Sequence, residues 1–439
     1  MNADFAKQRL GPAASQREMT GEESGAREDH EGCDVGAAHD DGRGMLLPTR
    51  ASSDAAVRRC ALAASLRRVA HQEIIAELAA LPHTLAPRAR IVVRDGLIES
   101  VDTHAASADA RFVPGTLMPG FVDLQVNGGG GASCQEATEA ALVACARACE
   151  AGGAAAFLPT VITTPWKDLI AQVEAIARWI ESRPRDGAQP LGIHVEGPFL
   201  EVAGAHDAAS ICDPTEERVK QLLAAGRGAI RLLTLASSKP GAARAVAQLR
   251  AAGVAVALGH VSDTKGFAEC VEAGASMATH LFNAMGAIHH RNPGIAGLTL
   301  DEARLSCGLI IDGVHVHPAM LRNAMAILGM DRAVLVTDAT AAMGMPDGEF
   351  TLAQARVTSK AGVVRDEKGS LAGSALTMSM AAKNLLAMVP QASPFTLARI
   401  ASANPAALIA ARGYGAIQKG NVARFTVLAA DGSCSSLRF

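Results

Sequence analysis

Three side chains that commonly bind metal ions stand at the ends of separate apolar runs in this chain: Glu196, His260 and His280. Two imidazoles and one carboxylate, with a fourth position left for water, form a known catalytic zinc pattern. Any one of these residues alone is more often structural, but their shared position favours a metal site. The sequence therefore predicts one divalent metal ion, with Zn²⁺ first and Fe²⁺, Mn²⁺ or Co²⁺ as other ions that the same donors accept.

An aspartate, Asp338, directly follows another apolar run, Ala333–Thr337. On its own it could simply cap the start of a helix. Beside a metal ion, it can instead take a proton from metal-bound water and later return that proton to a leaving amine. We therefore predict that Asp338 is the catalytic acid–base of a hydrolase.

These residues need a scaffold that brings the ends of distant runs together. Eight apolar runs follow one another, and most are separated by segments with helical periodicity, such as Trp166–Ile180 and Pro318–Leu328. Strands that alternate with helices indicate a parallel sheet, and eight such units indicate a (β/α)8 barrel, whose catalytic residues lie at the carboxyl ends of the strands. The runs are Phe121–Val126, Ala155–Ile162, Leu191–Val195, Ile230–Leu235, Val254–Leu258, Ser276–Leu281, Leu305–Ile311 and Ala333–Thr337.

The two ends of the chain predict a smaller domain of a different type. A β-hairpin is expected from Arg90 to Val101, because two apolar runs flank an Asp-Gly turn, and strand-like runs return after Thr340. The expected fold class is α/β, with a TIM-like barrel over residues 119–344. Residues 86–118 and 345–439 are expected to form a small β domain, built from segments before and after the barrel, together with C-terminal helices.

The N-terminal part of the chain differs from the rest. Residues 1–57 are polar and lack apolar periodicity, which predicts disorder. Ala61–Leu81 is rich in Ala, Leu and Arg and has the spacing of a helix. We therefore expect residues 1–80 to be a disordered or extraneous extension outside both domains.

Six segments carry these residues in a specific order: MPGFVD (118–123), HVEGPF (194–199), LGH (258–260), THLFNAM (279–285), DGVH (312–315) and VTDAT (336–340). Together they resemble the N-acetylglucosamine-6-phosphate deacetylase family of the amidohydrolase superfamily. The resemblance extends from about Arg90 to Leu428. It implies a metal-dependent barrel enzyme that hydrolyses the N-acetyl group of N-acetylglucosamine 6-phosphate to glucosamine 6-phosphate and acetate.

The resemblance also implies roles for individual residues. Glu196, His260 and His280 match the family's metal ligands, and Asp338 matches its catalytic aspartate. His206 matches a histidine that polarises the acetamide carbonyl, although the loop from Glu196 to His206 is shorter than usual in the family. The positions that hold the sugar phosphate correspond to Asn283, Ala284, Arg291 and His315. In the family, the arginine reaches across the interface of a homodimer, so a homodimer is expected here.

Gln125 and Asn127 occupy the position where many amidohydrolases place a His-x-His pair for a second metal ion. Carboxamides bind transition metals much more weakly than imidazole does. We therefore expect one tightly held ion rather than two. This agrees with the resemblance to those members of the deacetylase family that have Gln-x-Asn at this position.

Two other functions fit the same sequence. The first is a sister activity on N-acetylgalactosamine 6-phosphate or on another N-acyl amine. The second is an inactive protein that only binds. Two departures from the family support the second function. Arg424 stands where the family has an aspartate in its last strand, and the first strands look shortened and replaced by polar sequence.

The composition excludes several other classes of protein. Lys+Arg 41 against Asp+Glu 44 gives a net charge of −3, whereas nucleic-acid-binding proteins usually have a basic excess. No apolar run of about 18 residues and no secretory signal is found, so neither a membrane span nor export is predicted. Nine cysteines are too few for a disulfide framework and favour a reduced compartment. We expect a cytoplasmic enzyme that acts on a small sugar phosphate and contacts neither nucleic acid nor membrane.

Overall fold

The computed structural model describes residues 71–103 and 109–439. The predicted disorder of residues 1–57 and the first half of the predicted helix Ala61–Leu81 lie outside the described residues. The second half of that prediction is wrong, because His71–Leu81 is a strand, β1. The strands that follow are β2 (Thr84–Pro87), β3 (Arg90–Arg94), β4 (Leu97–Asp102) and β5 (Arg111–Pro119), so the predicted hairpin is present.

β1 lies inside a seven-stranded sheet, which corrects the expectation that residues up to 80 stand outside both domains. It pairs antiparallel with β2 and β3 and parallel with β5. Its side chains Ile74, Ala76 and Ala79 are buried in a small core with Ile91 and Leu117. The helical spacing of this segment is thus overridden by strand pairing on both sides, a tertiary effect that local propensity does not report.

The barrel predicted from the eight apolar runs is confirmed. Its strands are parallel, and β6 stands beside β9 and, through a bridge between Val126 and Ala339, beside β16. Except for the exposed Arg231 and the half-buried Ser306, the strand residues are buried, because helices cover the outside. They are β6 (Phe121–Val126), β9 (Ala154–Ile162), β11 (Ile193–Glu196), β12 (Ile230–Leu235), β13 (Ala255–Leu258), β14 (Met277–Ala278), β15 (Ser306–Ile310) and β16 (Ala333–Val336). Three shorter strands are β7 (Gly128–Gly129), β8 (Ala132–Ser133) and β10 (Gln189–Pro190).

A helix follows each barrel strand. The last of them comes after residue 344, the barrel boundary expected from the sequence, and its buried face joins the main core through Met378 and Leu385. Among the described residues, no helix is long and apolar enough to cross a membrane. The eight helices are Glu139–Ala151, Trp166–Glu181, Glu216–Gly226, Ala242–Ala251, Phe267–Glu272, Gly294–Asp301, Pro318–Arg332 and Met378–Met388.

A three-stranded antiparallel sheet is inserted between β16 and the last barrel helix. Its strands are β17 (Gly348–Leu352), β18 (Ala355–Lys360) and β19 (Val363–Asp366). The sequence assigned this segment to the small β domain, but the three strands pair only with one another. Leu352 and Ile162 are buried in one cluster, which joins the inserted sheet to the end of β9.

The C-terminal part returns to the first sheet, as predicted. Two short helices, Pro394–Ala398 and Asn404–Leu408, flank a π-helical turn, Arg399–Ala403. β20 (Arg424–Leu428) then pairs with β5 and with β21 (Cys434–Arg438). Arg424 donates hydrogen bonds to the carbonyl oxygens of Ala155 and Gly187, at 3.4 and 3.2 Å. The arginine therefore ties β20 to the barrel rather than disrupting the small sheet.

Candidate active site

Glu196, His260 and His280 meet at the carboxyl ends of three barrel strands. Glu196 Oε1 lies 3.2 Å from His260 Nε2 and 3.1 Å from His280 Nε2, and the two Nε2 atoms are 3.1 Å apart. All three side chains are buried. With bonds of about 2.0–2.1 Å, the ligand atoms of a tetrahedral zinc site lie about 3.3 Å apart. The triangle therefore has the size of a metal-binding set.

The charges in this cluster also suit a cation. Burial alone would raise the pKa of Glu196, but the two imidazoles hold it well below its usual range. Burial lowers the pKa of His280, but the Glu196 carboxylate outweighs this effect and raises it. Positive charge is thus favoured at the point where the two ring nitrogens face one carboxylate oxygen.

The orientation of His260 fits a metal ligand. Its Nδ1 donates a hydrogen bond to the carbonyl oxygen of Val202 at 2.8 Å, and a carbonyl can only accept. The neutral ring therefore has its lone pair on Nε2, the atom that faces Glu196. The backbone N–H groups of Glu201 and Val202 donate to the carbonyl oxygen of His260, so the loop after β11 is fixed to this residue.

His206 reaches the same cluster from that loop. Its Nε2 lies 3.9 Å from Glu196 Oε2, and ligand atoms of Glu196, His206 and His260 lie close enough together to hold an ion. However, His206 Nδ1 accepts a hydrogen bond from the backbone N–H of Thr163 at 3.2 Å. Burial lowers the pKa of His206 to about 3, so the ring is neutral and carries its proton on Nε2. His206 is arranged to donate to a ligand, whereas His260 is arranged to bind a cation.

Asp338 is held in place by both its backbone and its side chain. Its N–H donates to the carbonyl oxygen of Gln125 at 3.0 Å, and its own carbonyl accepts from the N–H of Ser374 at 2.9 Å. Side-chain amides of Gln125 and Asn127 donate to Oδ1 at 3.1 and 2.7 Å. Burial raises the pKa of Asp338 to about 6, and the charge of Glu196 adds to the increase. This carboxylate is therefore a stronger base than an ordinary aspartate.

Gln125 lies between the two acids of the site. Its Nε2 donates to Glu196 Oε1 at 3.0 Å as well as to Asp338. A neutral amide thus bridges two carboxylates at the position considered for a second metal ion. Such a bridge lowers the repulsion between them without adding charge.

Three site residues have an unusual backbone conformation. The φ angles of His260, His280 and Asp338 are 50°, 27° and 52°, in the left-handed region that costs energy for residues other than glycine. Gly373 packs against Asp338 with a φ of 64°, and a Cβ at Gly373 would lie 2.9 Å from the Asp338 carbonyl oxygen. Strain of this kind at the ends of barrel strands is typical of a functional site.

The predicted phosphate-binding residues are only partly brought together. Asn283, Ala284 and His315 line the same cavity as the histidine cluster, by which we mean His206, His260 and His280. Arg291 is exposed and does not line this cavity. His315 Nδ1 donates to Asp312 Oδ2 at 2.6 Å. Burial would raise the pKa of Asp312, but its bond to His315 holds it below the usual range. The Asp312 carboxylate thus fixes the orientation of the His315 ring, which lines the cavity.

The cavity has a volume of about 210 Å³ and contains both polar and apolar surface. Its polar lining consists of Asn127, Glu196, His206, His260, His280, Asn283, His315 and Asp338. The apolar lining comes from the loop after β11, from the end of β9, from the inserted sheet and from the segment after it. These residues are Ile162, Val202, Ala205, Leu352 and Leu371.

Three residues that orient site residues were not identified from the sequence: Thr163, Asp312 and Ser374. Thr163 fixes His206, and no spacing in the sequence connects the two. Ser374 fixes the backbone of Asp338, at a separation of 36 residues. Asp312 fixes His315, and here the i, i+3 spacing in Asp-Gly-Val-His could have indicated the contact.

Comparison with known proteins agrees with this arrangement. The amidohydrolase family model matches residues 116–435, so the chain belongs to the amidohydrolase family. The family is generally metal-dependent, in agreement with a Glu/His/His group able to hold an ion.

Individual relatives are similar over most of their length. The chain is 33% identical over 343 residues to N-acetylgalactosamine-6-phosphate deacetylase of Escherichia coli O157:H7, covering 77% of this chain and 89% of that protein. It is 34% identical over 300 residues to N-acetylglucosamine-6-phosphate deacetylase of Vibrio furnissii, covering 67% and 75%. The crystal structure of N-acetyl-D-glucosamine-6-phosphate deacetylase from Mycobacterium smegmatis is similar with a TM-score of 0.79 and 32% identity, over 84% of this chain and 98% of that chain.

Proposed function

We propose that this protein hydrolyses the N-acetyl group of N-acetylglucosamine 6-phosphate, with glucosamine 6-phosphate and acetate as products. The observation that carries the proposal is the arrangement of Glu196, His206, His260, His280 and Asp338 in one cavity, with His315, fixed by Asp312, at its other end. Related proteins named for this activity and sharing about a third of their residues support the substrate class.

We assign the metal ion to Glu196, His260 and His280, with zinc as the first candidate. Bound there, the ion would lower the pKa of a water molecule and polarise the amide carbonyl. His206 is the weaker candidate for the third ligand, because its Nδ1 accepts from a backbone N–H and its Nε2 therefore carries a proton.

Asp338 moves the protons of the reaction. The amides of Gln125 and Asn127 occupy Oδ1, so Oδ2 is the oxygen that takes the proton from the attacking water. The raised pKa lets the protonated acid persist until the amine leaves. Asp338 then gives the proton to the departing nitrogen, which completes hydrolysis of the amide.

His206 stabilises the oxygen of the amide as negative charge develops on it. Its Nε2–H is the donor, and its orientation is fixed by the Thr163 N–H and by the Thr163 hydroxyl 2.9 Å from Nδ1. Because the donor is fixed before the substrate binds, little reorganisation is needed during the reaction.

The phosphate is held by the other end of the cavity. His315, which is fixed by Asp312, forms the part supplied by one chain together with Asn283 and the backbone near Ala284. We assign Arg291 to the site of a second copy in a homodimer, since the residue is exposed and lies outside its own chain's cavity. Exposed apolar side chains beside this segment, Ile288 and Met320, favour such an interface.

A second candidate substrate is N-acetylgalactosamine 6-phosphate. Relatives from Escherichia coli O157:H7 and from a Shewanella strain, 33% and 36% identical to this chain, are named for that activity. The two sugars differ only in the orientation of one hydroxyl group, so the chemistry at the amide is the same for both. The ratio of kcat/KM for the two phosphates measures the preference.

The test of the proposed function is acetate release from N-acetylglucosamine 6-phosphate by the purified full-length chain. We expect turnover that a chelator abolishes and zinc restores. A metal-loaded, folded chain that releases no acetate from either sugar phosphate would overturn the proposal and favour a protein that only binds. Cytoplasmic activity is part of the proposal, since the seven cysteines of the described residues are all free thiols.

A further inference from the structure

The cavity has two chemically different ends. Asn283 and His315 line it from the segments after β14 and β15, whereas Ile162 and Leu352 line it from the ends of β9 and β17. In the ring of barrel strands, three strands separate β9 from β14 in each direction, so the two stand opposite each other. The polar end of the cavity, lined by Asn283 and His315, therefore faces the apolar end, lined by Ile162 and Leu352, and the histidine cluster lies between them.

Ile162, Ala205, Leu352 and Leu371 form the apolar end, which we call the apolar wall. The exposed fractions of Ile162 and Leu352 are 2% and 4%. Both pack in one cluster with Val364 of the inserted sheet, and Ala205 packs against that cluster. Because neighbouring side chains support the wall from behind, its surface cannot easily retreat from a ligand.

The geometry of an amide determines which part of a substrate meets this wall. His206 stands beside the wall, because it contacts Thr163, the residue that directly follows Ile162. A secondary amide is planar and trans, so its acyl chain and the substituent on its nitrogen point in opposite directions. With the phosphate at His315 and the carbonyl at His206, the acyl chain points away from the sugar and toward the apolar wall.

We propose that the apolar wall selects the acyl group, and that Leu352 limits the length of the N-acyl chain that is hydrolysed. This inference rests on the proposed function. A methyl group fills the space in front of the wall, whereas a longer chain would press against side chains that are already closely packed. The inserted sheet β17–β19 thus supplies specificity to a barrel whose own strands supply the chemistry.

The experiment compares the N-acetyl, N-propionyl and N-butyryl derivatives of glucosamine 6-phosphate with the metal-loaded full-length chain. We expect the parent to prefer the acetyl group. Leu352→Ala should raise the butyryl-to-acetyl ratio of kcat/KM by about tenfold or more, because one methylene in an apolar pocket changes kcat/KM by about 10–200-fold. Leu352→Phe should lower the propionyl-to-acetyl ratio.

Leu385→Ala is the matched control, since it is the same truncation at a leucine that is buried in the main core and does not line the cavity. It should leave both ratios unchanged. Leu371→Ala tests the wall independently if Leu352→Ala fails to fold. Unchanged ratios in the folded wall variants, or an equal increase in Leu385→Ala, would overturn the inference while acetate release by the parent upholds the proposed function. A parent chain that hydrolyses none of the three compounds would overturn both.

Discussion

His206 lies at the end of the cavity that we assign to the amide, the amide end, and His315 lies at the end that we assign to the phosphate, the phosphate end. The ring nitrogens of these two histidines have opposite kinds of hydrogen-bond partner. His206 Nδ1 accepts from the backbone N–H of Thr163, whereas His315 Nδ1 donates to the carboxylate of Asp312. Burial keeps His206 neutral, with a pKa of about 3, while the hydrogen bond to His315 holds the pKa of Asp312 below its usual range. The same side chain is thus a neutral hydrogen-bond donor at the amide end, whereas at the phosphate end it is fixed by a carboxylate.

This difference between the amide end and the phosphate end predicts different kinetics. Groups at the amide end act on charges that develop during the reaction, so their loss lowers kcat. Groups at the phosphate end bind a charge that is present in both the ground state and the transition state. Their loss should raise KM and leave kcat nearly unchanged.

The largest effect is expected for Asp338→Asn at the amide end. The amide side chain keeps the size of the residue but cannot accept the proton of the attacking water, so kcat should fall by about 10²–10⁴-fold. The measurement is steady-state acetate release by the metal-loaded variant, with metal content and thermal unfolding as controls for folding. Turnover at the parental rate would contradict the role of Asp338.

His206→Ala should lower kcat by about 10²–10³-fold, because it removes a donor to the developing negative charge. Its bound metal should stay at the parental level, whereas His280→Ala should lose metal, and this difference tests the choice between the two histidines as ligands. Thr163→Val is the matched control: it removes the hydroxyl beside Nδ1 but retains the backbone N–H that donates to the ring, so kcat should fall far less than in His206→Ala. Loss of metal in His206→Ala would show that His206 is a ligand.

At the phosphate end, Asp312→Asn should raise KM by about tenfold, the loss of one charge-assisted contact of about 1.5 kcal/mol. The variant no longer holds the His315 ring through a charge-assisted hydrogen bond, so the phosphate is bound less tightly. Inhibition by inorganic phosphate should weaken in parallel. A fall in kcat with an unchanged KM would place Asp312 in the chemistry rather than in binding.

The sequence predicted the amide end better than the phosphate end, for a physical reason. Glu196, His260 and Asp338 follow apolar runs, and the carboxyl ends of parallel strands must meet at one face of a barrel. Position in the chain therefore implies position in space. Arg291 has no such strand to fix it, and the structure leaves it on the surface.

Long-range packing is what the sequence could not predict. The helical spacing of Ala61–Leu81 is a local signal, whereas the strand His71–Leu81 exists because β3 and β5 lie on either side of it. Leu352 and Ile162 meet across 190 residues of chain, and no periodicity connects them. Contacts of this kind arise only after the elements have packed.

The decrease of kcat at low pH also distinguishes the amide end of the cavity from the phosphate end. Its expected size is smaller than that of the substitutions above. Asp338 must be ionised to accept a proton, and burial raises its pKa to about 6. A bound cation would lower that value, so kcat should fall as the pH drops through a midpoint at or below about 6, roughly tenfold per pH unit. The phosphate of the substrate has a second pKa of about 6, which affects binding. We therefore measure kcat at saturating substrate, where a change in binding does not alter the rate.

His206 stays neutral until about pH 3 and contributes nothing in this range. Asp312→Asn should keep the parental midpoint in kcat, because Asp312 acts on binding. A midpoint above about 7, or a midpoint that moves in Asp312→Asn, would mean that the group which titrates during turnover belongs to the phosphate end. The assignment of the chemical step to the amide end alone would then be wrong, since the phosphate end would control that step as well as the binding of substrate.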